Sequence, residues 1–115
     1  MGRALSLIAI PLLLAQFGLA QTQLVASNPQ AGSVVHRNSI MFWLRFNKRI
    51  ENAQCSLSLV TPAGENRTLM LQAQTASDQI QASGTDLRQG SYALNWQVET
   101  PGNPVTSGAV NFSVR

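Results

Sequence analysis

Few side chains in this 115-residue sequence are equipped for chemistry. There is one histidine, His36, one cysteine, Cys55, and a scattered set of acids, Glu51, Glu65, Asp78, Asp86 and Glu99. A lone histidine offers no His–His pair for a metal, and the carboxylates fall in turns or at strand ends without an evident acid–base partner. No nucleophile elbow or Gly-rich oxyanion loop accompanies any serine, so catalysis is not expected. Soft donors are limited to Met41 and Met70, thioethers of the kind that suit Cu(I), because Met1 belongs to a leader. If these two share the outer face of one sheet they approach each other, with His36 as a third donor. Gap-filling methionines and a solvated loop histidine are the simpler readings. Cys55 alternates with Leu57 and Leu59 and reads as a small buried core residue, and a single cysteine forms no intramolecular disulfide.

Residues 1–20 read as a secretory signal peptide. Arg3 supplies the positive start, residues 5–14 an apolar run, and Gly18-Leu19-Ala20 a small-residue cleavage site. Pro11 and Gln16 interrupt the run, which argues against a spanning helix, since that wants about 20 apolar residues. Cleavage leaves residues 21–115, enough for one small domain. The formal net charge of +3 is small and scattered. Lys48-Arg49 is the only adjacent basic pair, too little to suggest nucleic acid, and nothing points to a small-molecule substrate.

The elements that must position these residues are strands. Ile40, Phe42, Leu44 and Phe46 recur at period two, as do Cys55, Leu57 and Leu59, then Tyr92, Leu94, Trp96 and Val98, then Val110, Phe112 and Val114. Thr61-Pro62-Ala63-Gly64 closes a hairpin, after which residues 67–73 place Leu69, Leu71 and Ala73 inward. Leu24 and Val25 open the domain, Asn28-Pro29 and Gly32 turn it, and Ile80 and Ala82 mark a shorter strand. About seven strands with turns at this spacing predict an all-β, Greek-key-like sandwich of the immunoglobulin or cupredoxin type. Tyr92, just after Gly90, stands where such folds place a corner tyrosine, and Trp96 reads as the centre of the core. The far side of the third-strand pattern carries Met41, Trp43 and Arg45, a surface that either a connection or a partner must cover.

Four motifs, in this order and spacing, carry a resemblance: Ser27-x-Pro29-x-x-Gly32, Phe42-x-Leu44-x-Phe46, Gly90-x-Tyr92-x-x-x-Trp96 and Gly108-x-x-x-Phe112-x-Val114. Together they resemble the CopC family, the bacterial periplasmic copper-resistance proteins, over residues 21–115. The resemblance implies a periplasmic copper-binding or carrier protein of copper homeostasis, with copper as its ion and a membrane copper permease or another envelope protein as partner. It also implies ligand positions: a histidine at the mature N-terminus, where Gln21 stands, and an Asp-Gly-His loop, where Pro101-Gly102-Asn103 stands. Neutral amide oxygens neither match imidazole basicity nor offset the charge of Cu(II). The family's Cu(II) site therefore reads as degenerate here, while the scaffold is kept. A second reading from another class is an accessory sandwich module that binds an envelope protein through Met41 and Trp43.

Overall fold

Alternation determines which residues of each strand are buried, and the computed structural model, which describes residues 22–115, follows it closely. The leader and Gln21 lie outside the described residues. Eight strands are formed among the described residues: β1 (Leu24–Asn28), β2 (Val34–Val35), β3 (Ile40–Phe46), β4 (Cys55–Val60), β5 (Asn66–Leu69), β6 (Gln79–Gly84), β7 (Gly90–Val98) and β8 (Thr106–Val114). They make two sheets, one ordered β1-β3-β6 and the other β2-β8-β7-β4-β5. The chain changes sheet at every connection from β1 to β4, and again between β5 and β6 and between β6 and β7, which gives the Greek-key-like sandwich the sequence predicts. Every strand pairing is antiparallel except that of β2 with β8.

The core is the set of inward residues on the two sheets. Phe42, Leu44 and Phe46 of β3 and Ile80 and Ala82 of β6 face Leu57 and Leu59 of β4, Leu94, Trp96 and Val98 of β7, and Val110 and Phe112 of β8. Ring contacts join the sheets at both ends. Phe42 meets Phe112 with centroids 5.8 Å apart, Phe112 stacks on Tyr92 at 5.3 Å, and Phe46 meets the edge of Trp96 at 5.1 Å. Such pairs add about 0.5–1.5 kcal/mol each beyond the area they bury. Two glycines make room for these rings. A Cβ on Gly84 would stand 2.3 Å from Phe42 Cε2, and one on Gly108 would stand 2.5 Å from Trp96 Cζ2.

Polar groups lock the ends of the strands. The Tyr92 hydroxyl donates to the Arg88 carbonyl at 2.8 Å, the corner arrangement expected from its place after Gly90. In the β4–β5 hairpin the Gly64 N–H donates to Thr61 O at 2.9 Å, and Gly64 takes the left-handed φ of 86° that favours glycine. Past β5, a clasp holds residues 72–79 against the connection after β3. Asn52 Nδ2 donates to Gln72 O at 2.7 Å, Gln74 Nε2 to Ile50 O at 3.2 Å, and the Ile50 N–H to Ser77 O at 2.8 Å. Ile50 is buried beneath this clasp.

Three details differ from the sequence reading. Strand β2, two residues long, adds an element to the expected seven, because two residues carry no readable period. The alternation over residues 67–73 does not run through one strand. β5 ends at Leu69, and the Gln72 N–H bonds Gln81 O at 2.8 Å, so the chain has crossed to the other sheet. Leu69 and Leu71 pack against the core, whereas Ala73 is exposed. Cys55 is half-buried at the start of β4 rather than enclosed, its thiol donating to Glu51 O at 3.1 Å. Burial pushes its pKa up to about 11.

Two outcomes follow. Gly84→Ala forces its new methyl against the Phe42 ring and is expected to lower stability by about 1–3 kcal/mol, read from a urea midpoint. Cys55, with its thiolate disfavoured, is expected to alkylate about 100-fold more slowly than an unhindered thiol at pH 8 in the folded state, and at the ordinary rate in urea. Equal rates folded and unfolded would refute that shielding.

Candidate functional site

Three segments that carry or adjoin the positions the resemblance marks as copper ligands meet at one end of the sandwich among the described residues. The first is the run into β1. Thr22 is 2% exposed, and its hydroxyl lies 3.4 Å from that of Thr100, itself buried. The residue after Gln21 is thereby tied to the residue before Pro101, although 78 positions separate the two threonines. The second segment is the connection after β3. Asn47 and Gln23 bond reciprocally, the Asn47 N–H to Gln23 O at 3.0 Å and the Gln23 N–H to Asn47 Oδ1 at 2.8 Å. The third is the β7–β8 loop, which turns at Gly102 with φ of 76° and closes with the Asn103 N–H on Thr100 O at 3.1 Å.

Asn103 occupies the loop-histidine position, and its surroundings are specific. Its Nδ2 donates to Pro101 O at 3.2 Å, and its Oδ1 accepts from Lys48 Nζ at 3.2 Å. Lys48 is half-buried, just after Asn47, which is bonded to Gln23, and two residues before Ile50, which packs into the core. A cationic donor thus stands at the ligand position. A divalent cation wants anionic or strongly basic donors, and an amide oxygen engaged by an ammonium is neither. Among the described residues, those at this end do not fit a Cu(II) site. Among the described residues, no group of three or more His, Cys, Asp or Glu side chains is placed to hold a metal ion.

The weaker candidates are dispersed. His36 is exposed in the connection after β2, whose backbone is tied to the C-terminus through the Arg115 N–H on Val35 O at 3.0 Å. Met41 lies on β3, in register with Ser83 of β6, and is 40% exposed; Met70, just past β5, is 88% exposed. Gln72 Nε2 donates to Ser83 Oγ at 2.9 Å, which brings the chain near Met70 alongside the strand that faces Met41. His36 stands by the other sheet. Trp43 is half-buried and borders a groove of about 690 Å³ that runs along β1 and includes the exposed Val25 and Val34.

Lys48 and the Thr22–Thr100 pair carry no signal in the sequence. A lysine in a polar connection and threonines 78 residues apart look like ordinary surface residues until the sheet topology joins them. The resemblance marks positions 21, 101 and 103 alone.

Known structures bear on the fold. CopC from Methylosinus trichosporium OB3b superposes with a TM-score of 0.71 at 23% identity, covering 82% of this chain and 93% of that one. PcoC, a methionine-rich copper resistance protein from Escherichia coli, gives 0.67 at 17% identity, covering 84% and 100%. The Lin-41 filamin domain gives 0.54 at 15% identity, covering 82% and 91%, so the sandwich by itself does not specify copper chemistry. No curated protein matches the sequence significantly. The CopC domain model matches residues 24–115, all eight strands of the sandwich included, and the chain belongs to the CopC domain family.

Proposed function

We propose that this chain is a periplasmic copper-homeostasis protein, exported by cleavage after Ala20, that acts through contact with an envelope protein such as a membrane copper permease and neither carries Cu(II) nor catalyses a reaction. Family membership supports the copper context. The observation that carries the rest is the Lys48–Asn103 hydrogen bond, which puts a positive charge where a divalent ion would need a ligand. The contact surface is the outer face of β3, where Met41 is exposed and Trp43 borders the groove along β1. An aromatic ring beside apolar side chains is the kind of anchor on which partner binding concentrates.

A second reading, Cu(I) carriage, is favoured by one arrangement. Met41 faces Ser83 across the β3–β6 ladder, and Gln72 hydrogen-bonds Ser83 from the segment that begins at Met70. Thioethers flanking one strand are soft donors suited to Cu(I).

Titration of the processed chain recovered from the periplasm, its terminus at Gln21 checked by mass, separates these readings when Cu(II) and Cu(I) are each competed against chelators. The expected result is no stoichiometric sub-micromolar Cu(II) site, together with retention of a copper permease from solubilised membranes that Trp43→Ala abolishes. Tight Cu(II) binding would overturn the proposal. Stoichiometric Cu(I) binding lost in Met70→Leu would favour the second reading.

A further inference from the structure

Resting on that reading, we propose that Lys48 is the residue that excludes copper, its ammonium serving as a built-in cation at the site. Lys48 follows the end of β3 by two positions, and the residues at 47 and 50 that bracket it are fixed. Asn47 is bonded twice to Gln23, and Ile50 is buried with its N–H on Ser77 O. The lysine backbone therefore has little freedom to carry the charge away. At the other end, Asn103 is oriented by its own loop: Nδ2 is engaged by Pro101 O, which turns Oδ1 toward Nζ at 3.2 Å. An amide suits this role because its oxygen accepts from the ammonium while its nitrogen donates to the loop, which a carboxylate, acceptor only, cannot do.

Replacing the loop residues alone is then not enough to make a copper site. An imidazole at position 103 would face the ammonium, which repels a dication and competes for a carboxylate brought to the same loop at position 101. Exclusion resides in Lys48 as much as in the lost ligands. The site holds an internal cation, and hydrogen bonds join the loops at this end of the sandwich.

The test compares Cu(II) affinities of the processed chain in the background Pro101→Asp/Asn103→His, with position 48 as lysine, methionine, glutamine or arginine. Competition against chelators gives the affinity, nitrogen couplings in the electron paramagnetic resonance spectrum report imidazole ligation, and circular dichroism verifies folding. The methionine and glutamine variants are expected to bind Cu(II) at least about 10-fold more tightly than the lysine and arginine forms, with imidazole couplings. Equal affinity across all four would overturn the role of Lys48, as would tight binding with Lys48 in place. Two neutral side chains of different shape keep the comparison usable if one fails to fold. Sub-micromolar Cu(II) binding by the unmodified chain is a separate result and would instead overturn the functional reading above.

Discussion

Ring contacts between the two sheets are the constraint on which the rest of this molecule depends. A sandwich of this size buries a modest core, so the aromatic residues that span it carry a large share of its cohesion. Phe42 against Phe112 and Phe46 against Trp96 fix the spacing of β3 over β7 and β8. Gly84 and Gly108 are the counterparts of those rings, since a side chain at either would occupy ring volume. The indole also accepts a penalty for its place, because the Trp96 Nε1 donor is buried with no hydrogen-bond partner among the described residues, a loss of about 1–3 kcal/mol. Packing must therefore outweigh that loss at Trp96, and its near-complete burial against Phe46 and Gly108 supplies the contact.

A core that closes without metal leaves the loop end free to change. Thr22, Asn47, Lys48, Thr100 and Asn103 form a hydrogen-bonded junction that holds the entry to β1, the connection after β3 and the β7–β8 loop together. No ring pair or buried strand residue depends on the identity of the residue at position 101 or 103. Fold and chemistry are thus separable in this chain, which is why membership of the CopC domain family establishes the sandwich and leaves the site to be argued from its own residues.

What the sequence discloses follows the same division. Period-two alternation exposes β3, β4, β7 and β8 because each has one buried face, and the Gly90–Tyr92 spacing discloses the corner hydrogen bond. Alternation misleads where the chain changes partner in mid-pattern. Leu69, Leu71 and Ala73 continue one period, yet the backbone leaves β5 for the edge of β6 between them. β2 is invisible because its two residues are specified by pairing with β8 rather than by a pattern of their own. At the site, the substitutions at positions 21, 101 and 103 are legible as departures from a family pattern. Lys48 is not, because its meaning lies in a contact with a residue 55 positions away.

Electrostatic magnitudes decide whether one lysine is sufficient to matter. Two unit charges about 4 Å apart interact by about 4 kcal/mol at an effective dielectric constant near 20, and a dication doubles that. Lys48 is half-exposed, so solvent and salt screen the repulsion several-fold. A residue of even about 1.4 kcal/mol remains a tenfold loss of affinity. The amide at position 103 adds to this, because it offers an incoming ion only a neutral oxygen that already accepts from an ammonium. Both effects act in the same direction and both arise from one hydrogen bond. The loop geometry itself rests on the hydrogen bonds of Asn103 to Lys48, Pro101 and Thr100.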